Sequence, residues 1–389
     1  MTTTTTMPNV NAVQGGNPLQ GLLAYGQSPW LDFIRRNILL NGDLKKMIAN
    51  DGLRGMTSNP AIFEKAITAG DDYNDIIKAP DAQSSTAMAL YEKIAIRDVQ
   101  DAADIFRSVH RETKGRDGYV SLEVSPNLAF DTQATIDEAR RLWKTVNRPN
   151  VMIKIPATPQ GVVAIRQALE DDININITLL FAQSAYEQVA EAFLSALEAR
   201  ASNGQDISHI ASVASFFVSR IDSLVDSTID AKQKSETDSG KKALLESLRG
   251  KVAIANARRT YAKYQELFGG ARWKALAAKG AQTQRLLWAS TSTKNPKYRD
   301  VLYVEELIGA DTVDTIPPAT FDAFRDHGRV RASLTENLDD AAKTMLALEK
   351  AGISMKEVTD KLVVDGVKLF ADAFRQLLEA TGKTAGVRA

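Results

Sequence analysis

The 389 residues contain no cysteine. That excludes a disulfide frame, thiolate ligation of a metal and a cysteine nucleophile. Histidine is scarce: His110, His209 and His327 lie far apart without helical ligand spacing, so no metal site or other cofactor is expected. Net charge is missing as well, with 48 Lys plus Arg against 48 Asp plus Glu, which argues against nucleic acid or an anionic membrane surface as a general partner. No apolar run is long enough to span a bilayer. The opening MTTTTTMPNVNAVQGGNPLQG has no basic region followed by an apolar core, so it is not read as a secretory signal. A cytoplasmic protein is the expectation. Residues 1–20 read as a disordered lead-in, 381–389 as a frayed tail. There is no Gly-x-Gly-x-x-Gly fingerprint and no phosphate loop of the P-loop type, which removes the main support for a dinucleotide or nucleoside-triphosphate fold.

What is present is a run of alternating segments. VMIKIP at 151–156 places Val151, Ile153 and Ile155 on one face and Met152, Lys154 and Pro156 on the other. ININITL at 173–179 sets Ile173, Ile175, Ile177 and Leu179 against Asn174, Asn176 and Thr178. Period two is the strand signature. Between them Thr158 can cap a helix with Pro159 in its first turn, its apolar side being Val162, Ile165, Ala168 and Leu169. A helix joining two strands makes a parallel crossover, and parallel strands are usually apolar on both faces. Here one face carries a lysine and two asparagines, which suits the interior of a closed barrel near its mouth.

The same pattern recurs along the chain. Strands are expected at 29–33, 53–59, 119–125, 209–220, 285–292 and 312–316, separated by helical segments. Eight strands alternating with helices predict one (β/α)₈ (TIM) barrel domain over 21–380 with extra C-terminal helices; an open doubly wound sheet is the alternative. One helix is expected over 35–47, with Arg35 and Arg36 solvated. An exposed excursion is expected at 232–250, and a final helix from Met355 to Glu379 whose apolar stripe includes Val358, Leu362, Leu369, Ala373 and Leu377.

In such a barrel the site lies at the C-terminal ends of the strands. Asp32, Asn59, Glu123, Lys154, Asn176, Thr178, Ser215 and Lys294 fall within those strands or just beyond them. Each has a plain structural reading. Asp32 and Asn59 can cap helices, and Glu123 with Lys154 can be an interior ion pair. Asn174, Asn176 and Thr178 can fill the barrel, Ser215 and Phe217 can be packing, and Arg220 and Lys294 can be surface charges. Together they describe amine chemistry on a carbonyl. Burial favours a neutral lysine, by up to ~3–5 pKa units. A neutral amine forms a Schiff base with a ketone. Carboxylates must then move protons as a carbon–carbon bond breaks, amides and hydroxyls hold sugar hydroxyls, and basic groups at the rim hold a phosphate.

Six stretches, GMTSNPAIFEKAI at 55–67, VSLEVSPNLAFDT at 120–132, VMIKIPATPQG at 151–161, ININITLLF at 173–181, SFFVSRID at 215–222 and WASTSTKNPKY at 288–298, resemble the transaldolases, of the longer bacterial type. The resemblance implies a metal-free class I aldol mechanism in the pentose phosphate pathway. A dihydroxyacetone unit would pass from sedoheptulose 7-phosphate to glyceraldehyde 3-phosphate, giving erythrose 4-phosphate and fructose 6-phosphate. It implies Lys154 as the Schiff-base lysine, Asp32 as the acid acting on the C4 hydroxyl, and Glu123 as a proton shuttle through a water, helped by Thr178. Asn59, Asn176 and Ser215 would hold the dihydroxyacetone unit and Arg220 the phosphate. Lys294 stands where many relatives have a second phosphate-binding arginine. Sugar phosphates are the implied partners, and a homo-oligomer is left open.

Two other readings compete. A fructose 6-phosphate aldolase would release free dihydroxyacetone. Such family members tend to carry Tyr where this chain has Phe217 and to lack the acid at Glu123, so both residues favour transfer. A non-catalytic sugar-phosphate-binding barrel would bind the ketose without forming an adduct.

Overall fold

Eight parallel strands close on themselves in the computed structural model, which describes residues 16–79 and 82–387. The strands are β1 Gln27–Asp32, β2 Gly55–Thr57, β3 Tyr119–Glu123, β4 Val151–Pro156, β5 Ile175–Leu180, β6 Ser212–Phe217, β7 Arg285–Ala289 and β8 Thr312–Ile316. Each pairs with its sequence neighbours, and β8 closes onto β1. This is the expected (β/α)₈ barrel with surrounding helices. Outward-facing Ile153, Ile155, Ile175 and Ile177 are fully buried under that helical layer.

The N-terminal end of the barrel is filled. Arg285 of β7 pairs with Asp117 at 2.8 Å and donates to Ser28 Oγ of β1. The Ser28 hydroxyl and the Trp30 indole N–H both donate to Asp117. Gly55 lies against the Trp30 ring so closely that a Cβ there would sit 2.4 Å from it. Asn174 ties the strands together at this end. Its Nδ2 donates to the Pro149 and Val151 carbonyls, and its Oδ1 accepts from Ala211 N–H. The filler reading of Asn174 thus becomes a specific one, a backbone clamp well below the mouth.

Several local expectations change. The helix expected over 35–47 is two, Arg36–Leu40 and Asp43–Asp51, because Gly42 between them has φ +86°, in the left-handed region where no α-helix continues. Residue 220 is not strand; β6 ends at Phe217 and a helix runs Ser219–Ser235. The 232–250 segment is exposed but helical, with Ser239–Ser247 capped by Asp238. A helix spans Pro18–Ala24, so its first residues fall within the stretch expected as lead-in, whose residues 1–15 lie outside those described. The last helix, Met355–Ala385, runs on into the stretch expected to fray. Leu369, placed on its buried stripe from sequence, is 54% exposed. Among the described residues no helix is long and apolar enough to cross a membrane.

Arg36 is also not solvated. Its guanidinium is buried, donates to the fully buried Asp98 at 2.9 Å and lies over the Tyr73 ring. The Tyr73 hydroxyl donates to the other Asp98 oxygen at 2.8 Å. Burial pushes the Asp98 pKa up, and Arg36 opposes that. Arg35 only half shares this fate, meeting Asp72 at the surface. Removing one partner of a buried pair leaves the other charge uncompensated. Arg36→Ala should therefore cost ~3–5 kcal/mol in urea unfolding, whereas Arg35→Ala should cost no more than ~1 kcal/mol. Equal losses would refute the distinction.

Candidate active site

Parallel register stacks the inward side chains of neighbouring strands into layers. Glu123 of β3, Lys154 of β4 and Asn176 of β5 are direct register partners, and Pro156 and Thr178 form the next layer toward the mouth. On the opposite side Asp32 of β1 is in register with Thr57 of β2. The alternation visible in the sequence therefore becomes polar groups in successive layers of the interior, with Lys154, Asn176, Thr178 and Ser215 all buried.

Lys154 Nζ lies 3.6 Å from Glu123 Oε1 and 3.4 Å from the Ser58 carbonyl. Both side chains of that ion pair are 7% exposed. Burial pushes the Glu123 carboxyl up to about 7, against the lowering pull of Lys154. Its Oε2 is buried without a hydrogen-bond partner, as is Thr178 Oγ1. Both groups can therefore still bond a substrate atom or a water. Asp32 is also raised, chiefly by burial, with Lys154 and a hydrogen bond from Thr57 (2.7 Å) working the other way. Asp32 thus caps no helix; the N-cap position of the helix that follows is Arg35, and Asp32 faces Thr57 at the mouth. Two carboxyls whose charged forms are disfavoured by burial thus stand near one amine.

Asn176 Nδ2 donates to Ser121 Oγ, and its Oδ1 accepts from Ser215 Oγ at 2.6 Å. Ser215 is therefore engaged with Asn176 and orients that amide. Asn59 uses its Oδ1 to cap the helix Pro60–Thr68, accepting from Ile62 N–H. Phe217 is buried against Phe181, and the Arg220 guanidinium lies 5.3 Å over its ring. Arg220 stands in the first turn of the helix after β6; Lys294 is at the exposed rim after β7, donating to Ser292 Oγ at 2.7 Å. Burial lowers the pKa of both, Arg220 further lowers that of Lys294, and Asp32 opposes these shifts. Neither cation has an ion-pair partner among the described residues. Two unneutralised cations at one rim are a place for an anion.

The structure brings all the sequence-selected residues to the same end of the barrel. It adds some that sequence reading missed. Thr57, Ser58 and Ser121 sit beside selected residues within the quoted stretches, so neighbouring position was the available signal. Val367 and Phe370, from the last helix, line a small cavity with Glu123, Pro156 and Thr178. Alternation in strands says nothing of a helix that crosses the mouth.

Residues 29–381 match the family described as Transaldolase/Fructose-6-phosphate aldolase. The chain is 49% identical to a transaldolase of Trichodesmium erythraeum, over 91% of this chain and 94% of that one. It is 45% identical to "Transaldolase 2" of Nostoc sp., over 94% and 96%, and 44% identical to a transaldolase of Frankia alni, over 95% and 98%.

The pairing of Glu123 with Lys154 carries a titration prediction. Infrared difference spectra of the wild type against Glu123→Gln should show one carboxyl titrating at about 7. In Lys154→Met that carboxyl should titrate higher, because a nearby positive charge is lost. A lower or unchanged value would contradict the pairing.

Proposed function

The chain belongs to the transaldolase/fructose-6-phosphate aldolase family, and on that footing we propose that it transfers dihydroxyacetone units between sugar phosphates, with Lys154 as nucleophile. The donor is sedoheptulose 7-phosphate and the acceptor glyceraldehyde 3-phosphate; the products are erythrose 4-phosphate and fructose 6-phosphate. We assign the reaction to the pentose phosphate pathway in the cytoplasm. The observation that carries the residue assignment is the buried Lys154 amine in one register layer with Glu123 and Asn176.

Lys154 Nζ attacks the donor's ketone carbon and a C–N bond forms. Glu123 relays protons between nitrogen and the departing oxygen through a water that Thr178 helps hold; water leaves and the iminium forms. Their two unpartnered oxygens support this role. Asp32 takes the proton from the C4 hydroxyl. The C3–C4 bond breaks, its electron pair passes into the iminium to give an enamine, and erythrose 4-phosphate departs. The acceptor aldehyde then meets the enamine carbon, the new C–C bond forms, and Asp32 returns its proton to the new hydroxyl. Water releases the product from Lys154. Burial raises the Asp32 carboxyl above its ordinary value, which makes it a better proton carrier than a solvated aspartate.

Asn176, oriented by Ser121 and Ser215, and Asn59 hold the hydroxyls of the dihydroxyacetone unit. Arg220 and Lys294 hold the donor's phosphate, Lys294 as a point charge without the bidentate fork of arginine. Phe217 supports the Arg220 guanidinium from below with a ring that carries no hydroxyl. Phe217 and Glu123 together favour transfer over release of free dihydroxyacetone.

With fructose 6-phosphate as donor and erythrose 4-phosphate as acceptor, the wild type should form sedoheptulose 7-phosphate. With the acceptor omitted it should release little free dihydroxyacetone, and fast release would favour the aldolase reading. Lys294→Ala should raise KM for the phosphorylated donor by about tenfold or more, the loss of one charge-assisted contact, with a smaller effect on kcat. An unchanged KM would remove Lys294 from the phosphate site.

A further inference from the structure

The helix Met355–Ala385 crosses the mouth of the barrel, and its contacts follow a row at four-residue steps: Val358, Leu362, Gly366, Phe370 and Phe374. Four-residue steps share one helix face. Phe374 stands edge-on to Tyr91, itself edge-on to Phe63. Gly366 meets Leu179, where a Cβ would come within 3.0 Å of Leu179 Cδ2. Leu179 follows Thr178 directly, at a register shift in β5, and has φ +61°, a conformation disfavoured for its side chain. The strained end of β5 and the helix are therefore fitted to each other, and the fit places Phe370. Its ring centroid lies 5.6 Å from Lys154 Nζ, and with Val367 it roofs the space beside Glu123 and Thr178.

Phe370 offers no hydrogen bond and no proton, so it takes no part in the steps above. What it supplies over the amine is hydrocarbon. Once the aldose product has left, the enamine on Lys154 has two fates. Its nucleophilic carbon can attack the acceptor aldehyde, forming a C–C bond, with the carbonyl oxygen taking a proton. Alternatively, that carbon can take a proton from water, forming a C–H bond and restoring the iminium. Water then adds to the imine carbon, the C–N bond breaks, and free dihydroxyacetone and the lysine amine result. The second fate needs water at the enamine carbon; the first does not. Excluding water from a reactive intermediate suppresses the side reaction.

We propose that Phe370 is a specificity-determining residue: carried over Lys154 by the C-terminal helix, its ring shields the enamine from protonation, so that transfer prevails over release. The inference rests on the transfer reading above.

The test uses full-length Phe370→Ala, Phe370→Gln and Phe370→Leu with fructose 6-phosphate and a limiting amount of erythrose 4-phosphate. The ratio of free dihydroxyacetone to transferred product is read in each. Loss of the ring (Ala) or its replacement by a polar chain of similar length (Gln) should raise that ratio several-fold. Leu, which keeps hydrocarbon over the amine, should remain close to the wild type. The adduct formed without acceptor, sampled by borohydride at intervals after donor removal, should decay correspondingly faster in the Ala and Gln variants. A ratio and decay unchanged in whichever of these two variants folds would overturn the proposal, as would a Leu variant that leaks as much as Ala. If the wild type forms no adduct, the transfer reading itself fails, a result distinct from either.

Discussion

Everything at the mouth of this barrel follows from holding one amine out of water. A lysine in a low-dielectric interior loses hydration that nothing but close polar partners can replace. Here the partners are one carboxyl at 3.6 Å and a main-chain carbonyl at 3.4 Å, both at the long end of useful distance. The arrangement is thus underbonded, and it leaves oxygens of Glu123 and Thr178 unused. A structural ion pair would close those gaps. A site that must admit a ketose and move protons around it cannot.

The fold supports this in two ways. Register fixes Glu123, Lys154 and Asn176 at one height by backbone hydrogen bonding alone, so their proximity does not depend on a flexible loop. The lower half of the barrel is closed by Arg285, Asp117, Ser28 and Trp30, whose bonding groups are mutually engaged. That cluster is satisfied within itself, whereas Glu123 and Thr178 at the upper end each keep an unpartnered oxygen. The C-terminal helix completes the enclosure from above, making a residue remote in sequence part of the same small volume.

Much of this was legible in the sequence, for a definite reason. A strand with a period of two shows which residues share a face, and a closed barrel has only one interior, so Lys154, Asn176 and Thr178 could be placed without knowing their neighbours. The resemblance supplied the roles of Asp32 and Glu123; the structure supplied their company. What failed to show were long-range matters. Arg36 looked like half of a surface pair because nothing local reveals that Asp98 and Tyr73 will cover it. The last helix was given the stripe Val358, Leu362, Leu369, Ala373 and Leu377; Val358, Leu362 and Leu377 are buried but Leu369 is not, and it was included because a hydrophobic count passes over glycine. Gly366 belongs to the buried row, its lack of a side chain letting the helix approach Leu179, and with it in place the row continues to Phe370. The break at Gly42 was missed although Asn41-Gly42 is a turn signal, because the apolar positions on either side were read as one helical pattern. Asn174, adjacent to the site in alternation, lies on the same face but too deep to reach a substrate, and depth is set by strand tilt and register, which a single sequence does not state.

The central claim is that Lys154 becomes covalently joined to the ketose carbon. Reduction with borohydride in the presence of fructose 6-phosphate, followed by peptide mass mapping, tests it directly. A stable dihydroxyacetone-derived or ketose-derived mass increase on the peptide bearing Lys154, absent in Lys154→Ala, is the predicted result. No adduct on the wild type, or an undiminished adduct in the variant, would contradict the account.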